Sequence, residues 1–510
     1  MGTELLSLYR KQIKKTWKIA FFSAFVLFLL IHLYKITNYL PNHDTLYNFY
    51  SNQRVLGSGR WFLQYACGIS SYFDLPWLNG LLCAVYLGVM MVFIVELLNI
   101  QNPVIIILTS GILVGTPSTT EMLFFEYTAD GYVLGLALSA LSAVLSCRKG
   151  KWYCYLISGV LLCLTCGIYQ SGVSFAAMCC ICYLVLKLVN DEISVKDAWR
   201  WIGRHVIIYV GAMVCYYVIW KMMMHFEGIS ATSYQGIDSL GKISLSSIIQ
   251  SCIQSAANIG VYFVEWNILE HPISLYAMLN LIFLICFAVV LVVALVKSRA
   301  YRSTSRLALI LFCLAASVPV ISVWGFISPG VQYRPMMLHG ICLYYLLAMI
   351  LFDKWVPTRV STAFAALMAV IVFNFAIMAN TSYFWMNKCY EKTYYRGSQI
   401  MNTIVSAQQK NDDIEKVAFV GNRVEEVCSD ESLFTQEVHI LCACLEEDLL
   451  YDHIHTYLFL ENTFGLDIQR ALDEQVMELE EMEQVQQMPV WPAEGCAQVI
   501  NGVLVIRIAE

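Results

Sequence analysis

Asp44, in Asn42-His43-Asp44-Thr45, follows the first apolar run of the chain, and Arg60, in Gly57-Ser58-Gly59-Arg60-Trp61, comes just ahead of the second. One short connection therefore holds a carboxylate and a guanidinium. A carboxylate so placed can accept the proton of an attacking hydroxyl, and a guanidinium can steady a departing phosphate through two parallel N–H bonds. Spacing alone is equally compatible with a solvated aspartate and an arginine that snorkels beside Trp61 and Phe62. Tyr39, Tyr47, Phe49 and Tyr50 surround Asp44. Aromatic residues of this kind collect at the headgroup level of a bilayer, the depth at which a lipid-borne phosphate would be met.

Three further groupings carry usable chemistry. The segment from Pro117 to Asp130 holds Glu121, Glu126 and Asp130 without one Lys or Arg. Asp130 suits the start of a helix, where the dipole favours an anion. Glu126, flanked by Phe124, Phe125 and Tyr127, has an apolar setting suited to hydrogen-bonding sugar hydroxyls or to a second base. Tyr169 and Gln170, in Gly167-Ile168-Tyr169-Gln170-Ser171-Gly172, join two apolar runs with almost no loop. The plain account is a tight helical hairpin; the chemical one is an aromatic face beside a two-sided amide, a pairing that recognises sugars. Arg334, in Gln332-Tyr333-Arg334-Pro335, is either a second phosphate ligand or an interfacial anchor.

The elements that must position these residues follow from composition. Hydrophobic residues make up 58% of the 510 positions and charged ones 14%, which excludes an ordinary soluble domain and marks a polytopic α-helical membrane protein. The net charge of -6 hides a segregation: residues 1–380 carry 24 of the 32 Lys/Arg and 15 of the 38 Asp/Glu, and residues 381–510 carry the rest. A basic membrane domain (1–380) thus precedes an acidic, water-soluble one (381–510), and neither suggests a nucleic-acid surface.

Apolar runs near 17–34, 77–98, 103–118, 130–147, 152–169, 172–189, 205–225, 272–296, 307–327, 336–352 and 360–379 predict about eleven transmembrane helices. The first follows Arg10, Lys11, Lys14, Lys15 and Lys18 with no small-residue cleavage site behind it, and reads as a retained signal anchor. With that basic end in the cytoplasm, the groups around Arg148, Arg200, Arg302 and Arg359 all fall inside. An odd number of spans then puts the C-terminal domain on the outer side of the membrane. Asp44, Arg60, Glu126, Asp130, Tyr169, Gln170 and Arg334 gather on that same face.

Within the C-terminal part, Tyr390 to Gln409 and Leu466 to Gln487 read as helices, Lys416 to Gly421 as a strand and Val499 to Ile508 as a hairpin, a small α/β domain. The connection 226–271 contains an amphipathic stretch, Ile243 to Ala257, then Glu265-Trp266-Asn267. Most of the 19 cysteines lie in apolar runs as small packing groups. None has metal-finger spacing, and Asp452-His453-Ile454-His455 reads more simply as an alternating strand or a surface loop than as a metal site.

His43-Asp44, Gly59-Arg60-Trp61, the Pro117 to Asp130 stretch, Tyr169-Gln170, Met488-Pro489-Val490-Trp491-Pro492-Ala493-Glu494-Gly495 and Asn501-Gly502-Val503-Leu504-Val505-Ile506 together resemble the bacterial GtrII-type glucosyltransferase family, which includes O-antigen glucosylating enzymes. The resemblance runs from about residue 20 to the C-terminal end. It implies a GT-C-like membrane glycosyltransferase that moves a sugar, typically glucose, from a polyprenyl phosphate to a cell-surface polysaccharide, without a cofactor. On this likeness Asp44 is the general base and Arg60 and Arg334 are phosphate ligands. Glu126, Asp130, Tyr169 and Gln170 would then serve sugar or acceptor binding. First outer loops of GT-C enzymes often present two adjacent acidic residues, whereas Asp44 stands alone between His43 and Thr45, and no Asp-x-Asp motif occurs. Both features point away from a metal-bound mechanism. A transporter or flippase, a polymerase of lipid-linked saccharides and a non-catalytic scaffold are the alternative classes. The first of these should show duplicated halves or polar residues at the bilayer midplane.

Overall fold

The computed structural model describes residues 13–148, 150–239, 244–264, 274–328, 330–411, 414–421, 449–450 and 452–508. Arg10, Lys11, Lys149 and the Glu265-Trp266-Asn267 group lie outside them. Long apolar runs can satisfy their backbone groups in lipid only as helices or closed barrels, and here they are helices. Among the described residues eight are long and apolar enough to cross a membrane: Lys15–Thr37, Pro76–Leu98, Pro117–Arg148, Gly172–Val189, Val195–Glu227, Leu275–Lys297, Thr304–Ile321 and Thr358–Gln408.

The other three expected spans are shorter helices, Pro103–Gly115 with 13 residues, Trp152–Ile168 with 17 and Cys342–Trp355 with 14. At 1.5 Å per residue they reach roughly 20–26 Å, short of a hydrocarbon core of about 30 Å. Local sequence stops them: Pro117 opens a new helix behind the first, and the third begins only after two 3-10 turns and ends ahead of Pro357.

The chain divides into two compact units, one of Met1–Thr37 with Asn52–Asn380 and one of Asn38–Ser51 with Thr381–Glu510. In the first, Glu126–Arg148 packs against Pro76–Leu98, Trp152–Ile168 and Gly172–Val189, and Lys15–Thr37 against Pro76–Leu98 and Pro103–Gly115. The central position of Glu126–Arg148 follows from its small residues: Gly131, Gly135, Ala137, Ser139, Ala140, Ser142 and Ala143 let neighbouring backbones approach closely.

The second unit is built on a four-stranded sheet, β1 (Lys416–Val420), β2 (Gln469–Arg470), β3 (Ala497–Ile500) and β4 (Val503–Arg507), in the order β2-β1-β4-β3. β1 runs parallel to both β2 and β4, and β3 pairs antiparallel with β4. Val417 and Phe419 enter one core with Ile400, Ile404 and Phe459, while Ala418 and Val420 enter another with Val476 and Leu479. That is the two-sided burial expected of parallel strands. The expected helix Leu466 to Gln487 is instead β2 followed by two short helices, Asp473–Glu480 and Glu483–Gln486. Asp452-His453-Ile454-His455 opens a helix, His453–Phe464, rather than a strand. The Asp452 carboxylate caps it by accepting from the Ile454 and His455 amides, both at 2.8 Å.

Candidate active site

Arg60 is placed by a tight hairpin. Leu56–Ser58 forms one 3-10 turn, Gly59 closes it at φ +79°, and the Arg60 amide returns to the Val55 carbonyl at 3.3 Å. A side chain at Gly59 would need the left-handed conformation and would press on the Tyr216 hydroxyl. The Phe62 amide then donates to the Gly167 carbonyl at 2.7 Å. This approach also requires glycine, since a Cβ at Gly167 would stand 2.7 Å from the Trp61 ring. The Gly59 to Phe62 strip is thereby laid against the end of Trp152–Ile168, and Tyr169 and Gln170 follow directly.

There the Arg60 guanidinium donates to the Tyr132 hydroxyl at 3.1 Å and lies 5.0 Å from the centre of the Tyr169 ring. Tyr132 and Tyr169 stack with their centroids 4.5 Å apart. The Gln170 amide donates to the Ser58 carbonyl at 2.7 Å and the Tyr216 hydroxyl at 3.2 Å, and its backbone carbonyl accepts from the Trp324 indole at 2.7 Å. Arg60, Tyr169 and Gln170 are thus one cluster. Tyr132, Tyr216 and Trp324 complete it and were not singled out from the sequence, because an aromatic residue inside an apolar run looks like any other span residue until its polar atom finds a partner.

Arg334 belongs to a second grouping. Its guanidinium lies 5.8 Å from the centre of the Phe125 ring, and the following Met336 amide donates to the Glu121 carboxylate at 2.6 Å. Fully buried Glu121 thereby anchors the Arg334 connection. A neighbouring cavity of about 420 Å³ is lined by Gln250, Gln254, Asn258, Gln332 and Tyr333 among others. Its amides and hydroxyl offer donors and acceptors without charge, a composition that fits a sugar.

Glu126 and Asp130 are both buried. Glu126 accepts from the Lys35 ammonium at 2.5 Å, with the two side chains 2% and 1% exposed. Asn79 donates to its backbone carbonyl at 2.9 Å. Asp74, which the sequence reading passed over, lies ahead of Pro76–Leu98 and is buried, and its Oδ1 has no hydrogen-bond partner among the described residues. Burial pushes its carboxyl up from 3.8 to about 6, against the pull of Lys35. The folded protein therefore holds this proton more tightly than the unfolded chain does. The Asp74 contribution to stability is most favourable below pH 4, falls as pH rises from about 4 to about 6, and is constant above. Asp74→Asn is accordingly expected to raise the unfolding temperature at pH 8 relative to wild type and to have little effect at pH 4, measured by thermal denaturation in detergent across that range.

Asp44 lies in the other unit, on the short helix His43–Tyr47. Asn42 caps this helix by accepting from the Thr45 amide at 2.9 Å, and the Thr45 hydroxyl oxygen accepts from the Asn42 amide at 3.1 Å. Leu46 is buried in the core with Ile400, Phe459 and Leu504, and the Asn462 amide donates to the Leu46 carbonyl at 2.9 Å. Tyr47 meets the His455 ring edge-on at 4.8 Å, and His455 in turn contacts Asp452 at 2.8 Å. The turn is therefore fixed by the C-terminal α/β module, while the Asp44 side chain stays 45% exposed with His43 at 3.5 Å. A half-exposed carboxylate on an anchored turn can meet a hydroxyl brought from solvent.

Residues 33–352, more than half of the chain, match the family Glucosyl transferase GtrII. Neither the curated proteins nor the solved structures contain a significant match. The matched span covers Asp44, the Arg60 cluster, Glu126, Asp130 and Arg334 and ends ahead of the α/β module. With eight helices among the described residues long and apolar enough to cross a membrane, this chain is a membrane glycosyltransferase and belongs to the glucosyl transferase GtrII family.

Proposed function

We propose that the protein transfers glucose from a polyprenyl phosphate to a cell-surface polysaccharide on the outer face of a bacterial cytoplasmic membrane, with inversion at the anomeric carbon. The observation that carries this reading is the Arg60 cluster, in which a guanidinium, a pair of stacked tyrosines and an amide occupy one place. A cation for a phosphate and an aromatic face for a sugar ring are what a sugar phosphate needs from its site.

In the proposed reaction Asp44 takes the proton of the acceptor hydroxyl as that oxygen attacks the anomeric carbon. The bond from that carbon to the phosphate oxygen breaks, and the phosphate leaves as an anion held by Arg60 and Arg334. A monophosphate leaving group spreads its charge over one phosphate, so arginines can supply the stabilisation. Tyr169 and Gln170 would bind the donor sugar. Glu126 and Asp130, expected to bind the acceptor, would have to do so from buried positions. The base and the Arg60 cation belong to different compact units, and the α/β module would serve catalysis by holding the Asp44 turn.

The assay is direct: membranes containing the protein, radiolabelled polyprenyl-phosphate glucose, and recovery of label in surface polysaccharide. Absence of transfer from any lipid monophosphate sugar would favour a transporter or a polymerase that uses a lipid diphosphate. Arg60→Ala is expected to lower turnover about 100-fold, the usual cost of one transition-state donor. Arg60→Lys should recover only part of this, because an ammonium keeps the charge but loses the planar fork. Initial rates at saturating donor check both.

A further inference from the structure

We propose that Cys147, Cys180 and His205 form a zinc site, remote in role from the sugar chemistry. The three residues come from three helices of the membrane unit, Glu126–Arg148, Gly172–Val189 and Val195–Glu227. Their ligand atoms all lie within 4.8 Å of one another. Cys147 Sγ stands 3.7 Å from Cys180 Sγ and 3.7 Å from His205 Nε2. A tetrahedral zinc ion with Zn–S near 2.3 Å and Zn–N near 2.0 Å separates its ligands by roughly 3.5–3.8 Å. Two of the three edges therefore already have the length the ion imposes.

The imidazole is oriented for the task. His205 Nδ1 lies 2.9 Å from the Trp201 carbonyl, which can only accept, so Nδ1 carries the proton and Nε2 turns its lone pair toward the sulfurs. Metal-binding histidines are commonly held in this way by a backbone acceptor. The Trp201 indole also stacks on the ring with centroids 3.6 Å apart, which restricts its rotation. Cys180 and His205 are each 5% exposed. The Tyr209 hydroxyl lies 3.7 Å from Cys180 Sγ, and the fourth position of a tetrahedral ion would be left to water.

Charge favours zinc in this location. Binding releases two thiol protons to solvent, and two thiolates with a neutral imidazole cancel the dipositive ion, so a neutral site sits among apolar helices where a net charge would be costly. Thiolate and imidazole together select zinc over magnesium or calcium. The bound ion would pin three helices that also position the Arg60 cluster.

Metal analysis of protein purified without added chelator is expected to find about one zinc per chain, as a single tetrahedral site requires. Cys180→Ser and His205→Ala should each weaken retention by more than the roughly 10- to 100-fold that losing an outer hydrogen-bond partner costs. Cys163→Ser, in another part of the unit, should retain zinc. Because variants of buried residues can fail to fold, the same question is put to wild-type protein: chelator-stripped enzyme titrated with Co²⁺ should develop a thiolate-to-cobalt charge-transfer absorption that zinc then abolishes. Zinc content equal to that of a Cys147→Ser/Cys180→Ser variant, absence of the absorption in stripped wild type, or a Cys147–Cys180 disulfide by mass spectrometry would each overturn the assignment.

Discussion

Asp44→Asn is expected to fold normally and to transfer sugar about 100 to 10,000 times more slowly than wild type, the range over which a positioned general base contributes. The substitution keeps the shape of the side chain and removes its ability to take a proton. Normal folding is expected because the carboxylate supports no core: its side chain is 45% exposed, whereas the anchors of the turn are Asn42, Thr45 and Leu46. The check is an initial-rate assay on purified protein alongside a thermal unfolding curve. An unchanged curve with a collapsed rate supports the base role, and wild-type turnover by Asp44→Asn removes it.

Lys35→Met carries the second large effect, this time on stability. Lys35 and Glu126 are almost fully buried and in contact at 2.5 Å, and Lys35 also pulls electrostatically on Asp74. Removing one member of such a pair strands the other charge away from water, at a cost of about 3–5 kcal/mol. Replacing both by residues of similar volume often costs nothing or stabilises. The expected order of thermal stability is therefore wild type close to Lys35→Met/Glu126→Met, with either single variant well below. The double variant also tests the acceptor role proposed for Glu126. If the carboxylate only packs the helices together, the double variant regains activity with its fold. A folded but slow double variant would retain Glu126 in acceptor binding.

The membrane class, the positions of the helices and the acidic C-terminal module were legible in the amino-acid order, because hydrophobicity and charge act locally and show in any window along the chain. Family-like motifs also located Arg60, Tyr169 and Gln170, which fold into one cluster. Helix lengths were less legible, since hydropathy counts apolar residues while prolines such as Pro117 and Pro357 decide where a helix can begin or end.

Tertiary structure alone decided the partners. Asp44 and Arg60 share one connection in the chain but belong to different compact units, because Leu46 finds its burial among Ile400, Phe459 and Leu504 at the far end of the sequence. Glu126 took Lys35, 91 positions away, as its counter-ion. Cys147, Cys180 and His205, each an ordinary span residue in sequence, converge only when three helices pack. Composition determines that a residue is buried or at an interface. Which distant group completes its charge, hydrogen bonds or coordination depends on contacts that no local window contains.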